Sequence, residues 1–305
     1  MKVTFLFRQN RNGFPELLSS KAISACLIFI TLLLSIVFSK SSSAIEVVYP
    51  NRDGIGTSAL GYSVLKLALE KSGEDYQLIL DDKVVNSQRL IRMATTNQID
   101  VIDGGYLPAF LEELDIIYKP IDMGVSGWRL FITRKENVSK LNKVNDLQDL
   151  VAFTVGQGTG WHDNVILENA GFKVITAPTI QNLFLRVNAE RFHLLPLGAH
   201  EAYGLLEKFG PKDHSLVVDE NITLFYPFGR FFYLHPSNKK LKAIIEKGLE
   251  KALEDGSLFH LLRNHKYSKD AFERANMDKR TVIRVDTPGL TREFENIDPK
   301  WWVTP

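Results

Sequence analysis

The chain has one cysteine in 305 residues, Cys26, and it falls inside an apolar stretch near the N-terminus. A mature form lacking that stretch has no disulfide and no thiol nucleophile. Also missing are a Gly/Ser-rich or Pro-rich linker, an internal repeat, and a second apolar run of membrane length. No HExxH, Gly-x-Ser-x-Gly or Walker loop is present, and Gly54-Ile55-Gly56 fails the dinucleotide spacing. His260 and His265 lie five apart, on different faces of a helix, so no metal site is expected, and no cofactor either. No carboxylate stands out from the solvated acids as a general acid or base, which argues against an enzyme. Charge of one sign is missing as well. The full chain has 37 basic and 36 acidic residues, and removal of five basic residues and one acid with the leader leaves 32 against 35, a net charge near −3. That balance excludes a nucleic-acid partner.

What is present begins with an address. Lys2, Arg8, Arg11 and Lys21 form a basic leader, the uncharged apolar run 22–39 follows, and small residues precede a cut after Ala44. This is the grammar of a secretory signal peptide spanning 1–44. An uncleaved membrane anchor is the alternative, since 18 residues nearly span a bilayer. Ile23-Ser24-Ala25-Cys26 mimics a lipoprotein box, but the apolar run continues past it. An exported chain without disulfides suggests a bacterial periplasm.

From Ile45 onward, strands and helices alternate. Glu46–Tyr49, Tyr76–Leu80, Ile99–Ile102, Trp128–Thr133, Ala152–Val155, Phe192–Leu195 and Gly229–Leu234 read as strands. Leu60, Val64, Leu67 and Ala68 recur at helical spacing up to Gly73. Asn86 or Ser87 caps a helix with Leu90, Ile91 and Ala94. Helices are also expected over Gln181–Glu190, over Ala199–Phe209, and after a Ser237 cap. This alternation predicts an α/β fold with parallel sheets and helices on both faces, and ligands at the carboxyl ends of the strands. The turn Gly156-Gln157-Gly158-Thr159-Gly160, leading into a helix over Trp161–Ala170, would present free backbone N–H groups and a positive dipole end. That is a seat for a carboxylate or phosphate; an ordinary strand–helix turn is the plain alternative.

Several passages together resemble bacterial periplasmic solute-binding proteins of the amino-acid-binding class. They are Leu90-Ile91-Arg92-Met93 leading to Gln98-Ile99-Asp100-Val101, Ile117-Tyr118-Lys119-Pro120, and Thr154-Val155-Gly156-Gln157-Gly158-Thr159-Gly160. To these add Leu183-Phe184 with Arg191-Phe192, Gly198 with Glu201, and Thr287-Pro288-Gly289-Leu290 with Trp301-Trp302. The resemblance implies a two-lobed type II periplasmic binding fold, with lobes joined by two crossover strands. Lobe one would take 45–133 and 228–305, and lobe two the inserted 134–227. It also implies capture of a small polar or anionic solute between the lobes by hinge closure, delivery to an inner-membrane ABC permease, and a monomer. A non-transport sensor or interaction protein on the same fold is the alternative.

In that family an Arg of lobe one and the Gly-Thr turn hold an amino-acid carboxylate, and an Asp of lobe two holds the ammonium. This chain departs from the pattern. Tyr106-Leu107-Pro108-Ala109-Phe110-Leu111 replaces the Thr-x-x-Arg stretch, Pro196-Leu197-Gly198-Ala199 stands where the Asp belongs, and His193 replaces a further Asp. A standard α-amino acid is therefore not the expected ligand. The candidate contacts are Gln157, Thr159 and Gly160 of the turn, with Trp161 and His162 at the rim or in packing. Arg52 and Asp53 follow the first strand, and Tyr106 is placed to stack on a planar group. Arg129 is the candidate replacement cation, and Glu201, beside His200, is either a contact or helix-start electrostatics.

Overall fold

Apolar spacing sets the elements. β1 (Ile45–Arg52) leads into α1 (Leu60–Ser72), whose buried Leu60, Val64, Leu65, Ala68 and Leu69 form one stripe. Gly73 stops the helix in the left-handed region, at φ 80°. β2 (Tyr76–Val85), α2 (Ser87–Thr95), β3 (Ile102–Gly105), β4 (Asp115–Ile116) and β5 (Trp128–Arg134) follow. Then come α3 (Lys135–Leu141), α4 (Leu147–Leu150), β6 (Val155–Gly158), α5 (Asp163–Asn169), β7 (Val174–Ala177) and α6 (Ile180–Asn188). The chain continues through β8 (Leu194–Gly198), α7 (Ala202–Phe209), β9 (Leu216–Val218), β10 (Ile222–Phe225) and β11 (Arg230–Leu234). It ends with α8 (Lys239–Glu254), α9 (Ser257–Asn264), α10 (Asp270–Glu273), β12 (Thr281–Arg284) and α11 (Arg292–Glu295). This computed structural model describes residues 44–85 and 87–305, of which 44–305 make one compact unit. The leader, its cleavage site up to Ser43, Cys26 and the Asn86 cap lie outside the described residues. Among the described residues no helix is long and apolar enough to cross a membrane.

The strands fall into two regions. In the first, β1 pairs parallel with β2, and β11 lies antiparallel between β3 and β4. Asp100 joins the two ladders: its carboxylate accepts from Val48 N–H at 2.7 Å, and its own N–H donates to Val48 O at 3.2 Å. In the second region seven strands run β12-β10-β5-β8-β6-β7, with β9 also on β5. β5 is antiparallel to β8, β9 and β10, while the β6–β7, β6–β8 and β10–β12 pairs are parallel. The sheets are thus mixed, where the alternation of elements predicted parallel ones. β5 shows why this sheet needs cover on both faces. Phe131 packs into one core with Leu141, Ile166 and Leu167, while Leu130 and Ile132 pack into another with Phe184, Val187 and Ala202.

β5 and β10 run side by side where the chain passes between the regions, and Tyr226 N–H donates to Gly127 O at 3.2 Å there. A Cβ on Gly127 would collide with the Tyr226 carbonyl, so this position needs glycine. The large sheet takes in residues on both sides of the boundaries expected for lobe two: β5 begins at Trp128, and β12 comes from the stretch 228–305. Beyond β11 the chain first packs on the first region, where His265 Nε2 lies 3.3 Å from Ser63 Oγ. It then crosses to the large sheet, where Ala271, Ala275 and Met277 enter the core. Trp301 and Trp302 return to the first region's core, and Trp302 lies against Gly124.

Candidate functional site

A cavity of about 360 Å³ lies between the two regions. β1, β3 and β11 supply Arg52, Asp103, Gly104, Gly105 and Arg230; β5 and the segments after β6 and β8 supply Arg129, Gly160, Trp161, His162, Asp163, His200 and Glu201. Leu90, Ile91, Tyr106, Leu107, Phe110 and Phe228 add apolar wall.

Two buried ion pairs face this space. Asp103 pairs with Arg230, accepts the Tyr49 hydroxyl, and its backbone carbonyl accepts from Arg52 Nη1 at 3.3 Å. Burial works against its charge, but Arg230 and Arg52 beside it and the Tyr49 hydroxyl hold the carboxyl down at about 2. Arg230 is correspondingly raised despite its burial. On the other wall Arg129 Nη2 meets Asp163 Oδ1 at 2.7 Å, and Tyr226 donates its hydroxyl to the same oxygen. The Arg129 guanidinium lies 5.0 Å from the Tyr226 ring centre and 5.1 Å from that of Phe228. Burial opposes its charge, but Asp163, together with Tyr226, Glu201 and Asp122, raises it. Burial first, then Asp163, pushes Tyr226 well up, so it stays a neutral donor.

Asp122 stitches the turn before β5 to β11. It accepts from Gly124 N–H at 3.2 Å, Ser126 N–H at 3.1 Å, the Ser126 hydroxyl and Arg230 N–H at 3.0 Å. His200 is buried beneath the cavity. Burial, reinforced by Arg230 and Arg129 against the pull of Asp122, lowers it to about 3, so at neutral pH its 3.8 Å approach to Glu201 is not an ion pair. Glu201 accepts from Gly198 N–H at 3.2 Å and from the Tyr267 hydroxyl at 3.4 Å. Burial raises its carboxyl, with Arg129 and the Gly198 amide opposing. Buried side-chain atoms without a hydrogen-bond partner cluster here: Arg129 Nε, Arg230 Nε, His162 Nε2 and His200 Nδ1.

Of the residues singled out from sequence, Arg52, Tyr106, Arg129, Gly160, Trp161, His162 and Glu201 line the cavity. Asp53, Gln157 and Thr159 do not. Asp53 is an exposed turn residue at φ 53°. Gln157 is fully buried, and its side-chain amide donates to Pro196 O at 3.1 Å. Thr159 points to solvent, and its N–H is spent on Ala177 O at 2.9 Å.

The anion seat itself needs correction. Gly156-Gln157-Gly158 is strand, not turn: β6 pairs Val155 with Val174 and Gly158 with Ala177 in register. Its glycines make room for rings. A Cβ on Gly156 would strike Phe192, and one on Gly158 would strike Trp161. Trp161 N–H donates to Gly158 O at 3.1 Å, and the helix begins only at Asp163 and lasts seven residues. Tyr106 does not present a free ring to the cavity as expected for stacking: it is fully buried, 4.6 Å from Phe294 between ring centres, and its hydroxyl accepts from Thr291 N–H at 3.1 Å. Asp103, Asp163, His200 and Arg230 were missed as site residues, although Arg129 and Arg230 each stand near the start of a strand flanking the crossover.

No protein-family model matches the chain, and no curated protein matches it. Solved structures do. The BvgS VFT2 domain of Bordetella pertussis aligns over 76% of this chain and 97% of its own, at 14% identity and a TM-score of 0.53. An amino acid ABC transporter substrate-binding protein from Streptococcus pneumoniae, bound to L-arginine, covers 75% and 95% at 13% identity and 0.50. A histidine kinase sensor domain similar to periplasmic binding proteins covers 73% and 96% at 10% identity and 0.50. The chain has the two-lobed type II periplasmic-binding-protein fold. In that fold the β1–β4 and β11 region is the first lobe, the seven-stranded sheet belongs to the second, and the cavity lies in the interlobe cleft.

Proposed function

We propose that the protein is an exported, non-enzymatic binding protein that holds a small polar or anionic solute in the interlobe cleft. One observation carries this reading: Arg230 of one lobe and Arg129 of the other both line the cavity, each with a buried Nε that has no partner. A buried donor left unmade costs about 1–3 kcal/mol, and a bound acceptor would recover it. The volume suits a compact ligand. Export through the 1–44 leader and delivery to an inner-membrane ABC permease complete the proposal. A sensor or interaction role on the same fold is the second reading, in keeping with the BvgS VFT2 domain and the histidine kinase sensor domain among the similar structures.

The experiment is a thermal-shift screen of the purified protein against amino acids, polyamines, dicarboxylates, oxo acids and sugar acids. A ligand at a hundredfold excess over its Kd stabilises by about 2.7 kcal/mol. A flat response across every class would remove the solute-binding reading. Mass spectrometry of the native N-terminus separates cleavage after Ala44 from an intact anchor.

A further inference from the structure

We infer, resting on the reading that this cleft holds a solute, that the solute is a carboxylate anion with an apolar body and no ammonium group. The argument is an account of the charges that line the cavity. Three guanidinium groups are present, and three carboxyl groups. Two of the carboxylates are already engaged by cations of the protein. Asp103 takes Arg230 and the Tyr49 hydroxyl; Asp163 takes Arg129 and the Tyr226 hydroxyl. Asp103 is engaged through both oxygens, and Asp163 through Oδ1, where Arg129 and Tyr226 both meet it, so a ligand cation at Asp163 would have to share the counter-charge of a buried arginine.

The third carboxyl, Glu201, is occupied by the Gly198 amide and the Tyr267 hydroxyl. Burial favours its neutral form, the form that does not attract an ammonium. The donor side is different. Arg129 Nε and Arg230 Nε are buried and unpartnered, and Arg52 donates to the Asp103 backbone carbonyl at 3.3 Å. The two lining histidines add no positive charge at neutral pH, because burial lowers both. The site therefore offers unpartnered guanidinium donors to an anion, while each of its two salt-bridged carboxylates already has a cation of its own. Leu90, Ile91, Leu107, Phe110 and Phe228 make much of the remaining wall, so a fully hydrated oxyanion such as phosphate would leave polar surface against hydrocarbon.

Matched pairs differing only at the α-carbon test this. Phenylpyruvate is compared with phenylalanine, and 2-oxoglutarate with glutamate, by thermal shift and calorimetry, with inorganic phosphate as a separate arm. The oxo acids are expected to bind at least tenfold more tightly than their amino counterparts and than phosphate. Equal or tighter binding of the amino acids, or of phosphate, overturns the inference while leaving the solute-binding reading intact. Silence from these probes and from all other solute classes overturns both. Glu201→Gln provides a second measurement, with its circular-dichroism melt as the folding control. Because burial already favours the neutral acid, the amide is expected to leave oxo-acid binding within about twofold. A tenfold weakening would show that the carboxylate serves the ligand, and would overturn the inference.

Discussion

Arg129 is buried to 4% exposure against Asp163, with Tyr226 and Phe228 packed on its guanidinium. Removing one member of such a pair strands the other, at a cost of about 3–5 kcal/mol. Arg129→Met is therefore expected to lose that much in urea unfolding, and Arg129→Met/Asp163→Asn to recover most of it. A double variant no better than the single would show that the pair's charge is not what matters. His200 gives a pH signature. Its folded value of about 3 lies below the ordinary 6.5, so between those limits the unfolded chain binds a proton the native state refuses, and stability falls as pH drops. Glu201 works the other way, since its raised carboxyl stabilises most at low pH and loses that contribution as pH rises through its folded value. From pH 7 to pH 5 the wild type should lose about 2 kcal/mol more than His200→Gln, by the free energy of protonating an unfolded histidine. Parallel slopes would discount His200. At this scale the sequence disclosed residue types but not partners. Arg129 was legible as a cation near the crossover, while Asp163 looked like any helix-start acid, because its burial comes from Tyr226, 63 positions away.

Among the elements, helices were the legible part. Leu241, Ile244, Ile245, Gly248, Leu249 and Ala252 of α8 are all buried, as their spacing demands. Its cap was not legible: Asn238 precedes the first turn, and the Ser237 hydroxyl turns to His235 Nδ1 at 2.7 Å instead. Strands slipped more. β6 and β3 both begin three residues later than apolar content suggested, and both run on through glycines that read as turns but serve as strand positions beneath aromatic rings. Glycine therefore means different things in different elements, and two substitutions separate them. A Cβ on Gly248 would overlap the Ala68 backbone carbonyl where α8 crosses α1. Gly248→Ala should cost at least about 1–3 kcal/mol. Gly204, inside α7, has open space around it, so Gly204→Ala should stabilise by about 0.5–1 kcal/mol. Thermal melts of the two variants moving in the same direction would contradict this account of the α1–α8 crossing.

For the molecule as a whole, the order of motifs was enough to reach a two-lobed fold, yet the route of the C-terminus was hidden. β12 is only Thr281–Arg284, with three of its four residues exposed, and such a run gives no periodicity signal. Its place beside β10 means that the chain crosses the cleft again after leaving α9. On the way, His265 meets Ser63 on one lobe, the Tyr203 hydroxyl donates to Arg274 O at 2.9 Å on the other, and Arg274 pairs with Glu207 at 2.7 Å. Arg280 then ties the strap to the backbone of Asp219 and Ile222, the second of these at 3.0 Å. The exposed Arg274–Glu207 pair alone contributes little; the weight lies in the buried Arg280 contacts and in Ala271, Ala275 and Met277, buried within the second lobe's core. A chain ending after Asn264 would lose those residues, β12, and the Trp301 that fills the first lobe. Each lobe would then expose core surface, at about 25 cal/mol for every Å² of apolar area returned to water. Such a truncation is expected to show no cooperative melt and to bind a dye for exposed apolar surface. A full-length-like transition from it would mean that the lobes are complete without the strap, and that the strap only covers the cleft beside Tyr267.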